Sequence, residues 1–215
     1  MMSKIVVVDY GLGNLKSVSR AIEYCGGKPE ISSDPKIIAA AKKIILPGVG
    51  AFGEGMRRLK ELDLDKAIKD SVENGAYLLG ICLGMQMLLD TSEEFGLKEG
   101  LGLIRGSVKK IQSMDDSGVP NRKVPHIGWS PIYSGPKRAD WSDSILSNIP
   151  LGSPVYFVHS YMASPINDSE IIASCNYEGL MIGAAIGNGN VLGMQFHPEK
   201  SGPIGLQMLK NYLDY

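Results

Sequence analysis

Cysteine and histidine are scarce in this sequence, with three of each in 215 residues. The cysteines (Cys25, Cys82 and Cys175) are odd in number and form no C-x-x-C pair. That excludes a disulfide framework and points to a reducing, cytoplasmic setting. The histidines (His126, His159 and His197) are scattered, and only His197 has a nearby acid, so no metal site is expected. Net charge is −1, and neither nucleic acid nor an anionic membrane is expected as a partner. Long hydrophobic runs are missing too. The longest, such as Ile5-Val6-Val7-Val8, are strand length and far short of a membrane span. Asp9 interrupts that first run at once, so no signal peptide is expected. Internal repeats and low-complexity tracts are absent.

What remains is ordinary globular composition, 44% hydrophobic and 21% charged, enough for one sizeable core. No linker divides the chain, and a single domain over residues 1–215 is expected. In the first half, apolar strands alternate with helical patterns. Residues 5–8, 30–32, 43–46 and 76–81 read as strands. Val18, Ala21, Ile22 and Cys25 recur at helical spacing, predicting an amphipathic helix over 14–25 that Gly26-Gly27 ends. Asp34-Pro35 opens a short helix, and residues 64–74 form another. This alternation predicts an α/β fold, a central and mostly parallel sheet flanked by helices. The second half reads as antiparallel hairpins, with strands at 107–111, 123–124, 155–158, 170–175, 180–186 and 191–195. Residues 114–122 read as an exposed loop, and 205–213 as a terminal helix.

Chemistry enters at Gly80-Ile81-Cys82-Leu83-Gly84-Met85-Gln86. An apolar strand precedes the run, and residues 85–89 read as the start of a helix. A cysteine flanked at ±2 by glycine, at a strand-to-helix corner, has the form of a nucleophile elbow. Glycines allow the tight turn, and the helix start favours a thiolate. A free cysteine is otherwise usually a small buried apolar residue, so the elbow reading needs a base. His197 supplies one. It follows the apolar run Val191-Leu192-Gly193-Met194, at a strand end where open α/β sheets carry function. Glu199 lies two residues on, so in extended backbone its carboxylate points the same way as the imidazole, and Pro198 holds the pair. A carboxylate on one ring nitrogen leaves the other free to face a thiol.

Gly80-Ile81-Cys82-Leu83-Gly84-Met85-Gln86 together with Gln195-Phe196-His197-Pro198-Glu199 resembles the class I (triad) glutamine amidotransferase family, over essentially the whole chain. Four more segments are similar to the amidotransferase subunits of imidazole glycerol phosphate synthases. They are Asp9-Tyr10-Gly11-Leu12-Gly13-Asn14-Leu15, Leu46-Pro47-Gly48-Val49-Gly50-Ala51-Phe52, Pro125-His126-Ile127-Gly128-Trp129 and Tyr156-Phe157-Val158-His159-Ser160-Tyr161. The resemblance implies hydrolysis of L-glutamine with Cys82 as nucleophile, His197 as base and Glu199 as its orienter, and no cofactor. It implies oxyanion donors from Leu83 and from a peptide near Val49, which Gly48 and Gly50 leave free to flip. It implies glutamine contacts from Gly48, Gly50, Gln86, Glu94, His159, Ser160 and Tyr161. A heterodimer with a (β/α)₈ cyclase is implied, with Asn14, Trp129, Tyr156 and Lys200 at the interface. The cyclase would receive ammonia and make imidazole glycerol phosphate and an aminoimidazole ribonucleotide, in histidine biosynthesis. The alternative is a paralogous subunit serving a sugar-amidating enzyme of surface polysaccharide pathways. Ser130 and Gly202 stand where the family often has Asn and Gln.

Three rival readings were weighed on the same residues. Gly48-Val49-Gly50-Ala51-Phe52-Gly53 matches the dinucleotide fingerprint, which also wants an acid at the end of the next strand, where this chain has Cys82. A non-catalytic interaction module would not need Cys82, His197 and Glu199 together. A cysteine peptidase would use the same elbow, but Gln86 and the whole-chain resemblance favour glutamine.

Overall fold

In a computed structural model, residues 4–114, 118–119 and 122–215 are described. The first half runs β1 (Lys4–Val8), α1 (Leu15–Tyr24), β2 (Lys28–Ser32), α2 (Pro35–Ala39), β3 (Lys43–Gly48), α3 (Phe52–Glu61), α4 (Leu64–Glu73), β4 (Tyr77–Cys82) and α5 (Leu83–Met87). The second runs β5 (Leu89–Ser92), β6 (Lys98–Glu99), β7 (Ile104–Lys110), β8 (His126–Pro131), β9 (Tyr133–Ser134), β10 (Pro154–His159), β11 (Tyr161–Pro165), β12 (Ile171–Tyr177), β13 (Leu180–Asn188), β14 (Val191–Met194) and α6 (Gly202–Asp214).

An eight-stranded sheet in the order β2-β1-β3-β4-β14-β13-β12-β9 forms the centre. From β2 through β14 the pairings are parallel, and from β14 to β9 they are antiparallel. β1 shows why its sequence has no polar break. Ile5 and Val7 enter the core on one face, with Val18 and Ile22 of α1 and Met208 and Leu209 of α6. Val6 and Val8 enter the other, with Phe52, Met56 and Leu59 of α3 and Leu64 and Ile68 of α4. A strand covered on both sides must be apolar throughout. The helix starts follow their caps. The Asn14 side chain accepts from Ser17 N, and that of Asp34 from Lys36 N at 2.8 Å with Pro35 at the first helical position.

The structure departs from the sequence reading at definite points. Residues 85–89 do not start a long helix. α5 spans five residues, because the carbonyls of Met87, Leu88 and Leu89 accept from Leu101, Leu103, Ile104 and Gly102 N–H groups. A longer helix would have needed those acceptors. Residues 123–124 are not a strand. The strand begins at His126, just after Pro125, which has no N–H to give. α3 was hidden by two glycines among charges. Gly55 lets the helix pack closely, since a Cβ would lie 2.8 Å from Met87 Sδ and would displace that side chain. β14 is no simple hairpin arm: it pairs antiparallel with β13 but parallel with β4, Met194 opposite Ile81. That pairing sets the ends of β4 and β14 side by side. Most of the expected 114–122 loop lies outside the described residues. At its base, Arg122 N donates to the Ser113 carbonyl.

Candidate active site

Cys82 is the last residue of β4 and carries φ +55°, ψ −110°. Positive φ on a residue with a Cβ is strained, and here the packing around the corner enforces it. The flanking glycines are what make the corner possible. A Cβ on Gly84 would sit 1.7 Å from the Leu46 carbonyl oxygen, and one on Gly80 would sit 2.7 Å from the Gly84 and Met85 backbone. The helix behind the thiol spans only five residues, so it has no long macrodipole to favour a thiolate. Cys82 Sγ lies 3.9 Å from the Val158 carbonyl and 3.8 Å from Gln195 Nε2, which donates to it.

His197 follows β14 and is buried. Its Nδ1 is 2.8 Å from Glu199 Oε1, and both side chains are sealed from solvent. His197 is extended, but the backbone does not stay so to Glu199. Pro198–Lys200 form a 3₁₀ turn that folds Glu199 back onto the ring. The Ser201 hydroxyl, donating to the His197 carbonyl and accepting from Tyr156 N, pins that turn to β10. His197 Nε2 is buried with no hydrogen-bond partner among the described residues. Burial by itself lowers the imidazole. Interactions with Cys82 and Glu199 outweigh it and raise His197 from 6.5 to about 9. The sulfur therefore lies within electrostatic reach of the ring, though Nε2 and Sγ are not aligned as a hydrogen bond.

A cavity of about 340 Å³ opens over Cys82 and His197, within the size range of small-ligand pockets. Val49, Gly50, Leu83, Gln86, Glu94, His159, Ser160 and Tyr161 also line it. Gly48 does not. It lies opposite Cys82 in the β3–β4 register, where a Cβ would fall 2.3 Å from the Tyr10 hydroxyl. Val49 is exposed and Gly50 has φ +101°. The Glu94 carboxylate accepts from Phe52 N, at the start of α3, at 2.6 Å. That argues against the dinucleotide reading, because the helix end that would hold a pyrophosphate already carries an anion.

Trp129, Tyr156 and Lys200 come together. Trp129 stands opposite Tyr156 across the β8–β10 pair, their ring centroids 6.0 Å apart, and Lys200 Nζ is 5.9 Å from the Tyr156 ring centre. Trp129 is 56% exposed, enough to present an indole face. Asn14 follows the loop after β1, on the same strand-end side of the sheet, and caps α1. Among the described residues no three His, Cys, Asp or Glu side chains are grouped to hold a metal ion. No helix among them is long and apolar enough to cross a membrane.

Sequence reasoning passed over two residues. Gln195 is fully buried and links Gln86 to the sulfur, its Oε1 accepting from Gln86 Nε2 at 3.0 Å. Its signal was a polar residue closing an apolar strand. Buried Tyr10 donates to the Pro47 carbonyl at 2.8 Å, at the root of the Gly48-Val49-Gly50 segment. Burial and then Cys82 push its phenol up, so it is a neutral donor. An aromatic directly after a buried strand reads as core, which hid it.

The family model for glutamine amidotransferase class-I matches residues 6–214. The chain belongs to this family. The amidotransferase is 47% identical over 212 residues to imidazole glycerol phosphate synthase subunit HisH 1 of Legionella pneumophila (strain Lens), covering 99% of both chains. It is 45% identical to subunit HisH of the same synthase from Methanosarcina barkeri, again covering 99% of each. Among solved structures, PurLQS from Thermotoga maritima matches with a TM-score of 0.73 at 21% identity, covering 100% of this chain and 99% of that one. That likeness carries the α/β fold.

Proposed function

We propose that this amidotransferase is a single-domain glutaminase subunit of an imidazole glycerol phosphate synthase, acting in the cytoplasm. The observation that carries the chemistry is the buried His197–Glu199 pair at 2.8 Å beside a cysteine on a strained elbow. His197 Nε2 takes the thiol proton, and the Cys82 sulfur attacks the side-chain carbonyl of glutamine. The tetrahedral oxyanion is received by Leu83 N–H and by a peptide of the Gly48-Val49-Gly50 segment. Losing one such donor costs about 3–4 kcal/mol of barrier stabilisation, so a flip at Val49 acts as a switch. His197 returns its proton to the departing ammonia, and water then hydrolyses the γ-glutamyl thioester. Glu94 and Tyr161 hold the amino-acid end of the substrate, while Gln86 and the backbone of His159, Ser160 and Tyr161 hold its length.

The destination of the ammonia rests on the full-length relatives, which are named as subunits of that synthase. The partner is a (β/α)₈ cyclase of the HisF type, forming a heterodimer across Asn14, Trp129, Tyr156 and Lys200. Mixing this chain with such a cyclase, glutamine and the ribulosyl-aminoimidazole-carboxamide ribonucleotide is the test. Imidazole glycerol phosphate is expected, at a rate that falls away when either protein is omitted. Glutamine hydrolysis without that product would reassign the chain to a sugar-amidating enzyme.

A further inference from the structure

His126 is buried and does not line the cavity, yet a chain of hydrogen bonds ties it to the site. His159 Nδ1 is 2.8 Å from the Tyr161 carbonyl oxygen. A carbonyl only accepts, so this nitrogen carries the proton. Burial lowers His159 to about 4. The ring is therefore neutral at pH 7, and its Nε2 bears a lone pair. His126 Nδ1 lies 3.1 Å from that lone pair and must donate to it. Burial lowers His126 to about 4 as well, so its Nε2 accepts, from the Ser130 hydroxyl at 2.9 Å. Each ring proton in this relay therefore has one position. The His126 ring is held for this role, stacked on Tyr177 at 3.9 Å and on Phe157 at 4.7 Å between ring centres.

The far end of the chain reaches the substrate side. The Tyr161 carbonyl that accepts from His159 also accepts from Gln86 Nε2 at 2.9 Å, and Gln86 passes on to Gln195 and the sulfur. His159 itself lies close enough to His197 to feel its charge. We propose that His126 is a positioning residue for the amidotransferase reaction. Through His159 it fixes the Tyr161 carbonyl and the Gln86 amide against glutamine. The kinetic part of this proposal rests on the glutaminase reading above; the tautomer part does not.

The test combines nitrogen-15 NMR of the histidine rings with glutamine kinetics, on the full chain and two variants. His126→Phe keeps a flat ring for the stack and removes both hydrogen bonds. His126→Asn keeps a donor near the Nδ1 position and loses the stack. In the unsubstituted chain both His126 and His159 are expected as neutral Nδ1–H tautomers at pH 7. In His126→Phe the His159 Nε2 lone pair loses its donor and its nitrogen-15 shift moves toward that of an unbonded ring nitrogen, while Nδ1–H stays on the Tyr161 carbonyl; KM for glutamine rises roughly tenfold, the factor for one lost positioned hydrogen bond. His126→Asn restores the His159 Nε2 shift and most of KM. An Nε2–H tautomer at His159 in the unsubstituted chain overturns the proposal. So does a His126→Phe chain with unchanged KM and unchanged His159 Nε2 shift, or an Asn variant as impaired as the Phe variant. Should the Phe variant fail to fold, the tautomers of the unsubstituted and Asn chains decide alone. A chain with the expected tautomers but no glutamine turnover would overturn the functional reading and leave the relay standing.

Discussion

Cys82→Ala is expected to abolish glutamine-dependent synthesis by the assembled enzyme while leaving synthesis from added ammonium salt intact. The loss should reach about 10⁵-fold or more, the scale seen when a nucleophile is removed from a catalytic unit. Nothing else near the sulfur can replace it. His197 has only a base to offer, and Gln195 only a donor, at 3.8 Å. The fold should survive, because alanine lacks only the sulfur, whose contacts at 3.8 and 3.9 Å are long. The ammonium arm separates a lost nucleophile from a lost complex. Both activities are measured on one preparation, and loss of the ammonium-dependent rate as well would mean that the corner, not the chemistry, had failed.

Glu199→Gln should lower kcat roughly 10³- to 10⁴-fold with little change in KM, by analogy with the loss when a triad carboxylate becomes an amide. The carboxylate accepts from Nδ1 at 2.8 Å, which leaves Nε2 as the free base. An amide can still accept from Nδ1 through its oxygen, but it lacks the negative charge that stabilises the imidazolium formed when Cys82 gives up its proton. The same substitution changes the response of stability to pH. His197 is raised from 6.5 to about 9 in the folded chain, burial opposing and Cys82 and Glu199 prevailing. A group with a raised folded pKa contributes stability that is fully present below its unfolded value, near 6.5, and lost as pH rises through about 9. Thermal stability of the parent should therefore fall across that window. In Glu199→Gln the slope should flatten, and an equal slope in both chains would contradict the assignment of the shift to Glu199.

The elements of the candidate site were legible because covalent geometry writes them into local sequence. Gly80 and Gly84 announce the elbow, since each stands where a Cβ would meet backbone. His197-Pro198-Glu199 is legible as a pair at a strand end, though its 3₁₀ turn was not. What makes these two segments one site is less visible. It depends on β14, which forms the expected antiparallel hairpin with β13, also entering the sheet parallel to β4, a long-range pairing that no local sequence signal marks. α5 illustrates the same limit. Its apolar residues suit a longer helix, and only the distant segment 101–104, by taking its carbonyls, ends it. The place of His126 was not legible, because a lone histidine carries no sequence mark of the ring it will face thirty-three residues later.

The central claim is that Cys82 is the nucleophile for glutamine. The most direct measurement is labelling of the full chain by a glutamine analogue bearing a thiol-alkylating group, followed by peptide mass mapping. The expected result is one label per chain, on Cys82, blocked by added glutamine. Cys25 and Cys175 should stay unlabelled, because burial pushes both thiols up and neither lines the cavity. A label on either of those cysteines in place of Cys82, or labelling of Cys82 that glutamine does not slow, would contradict the account.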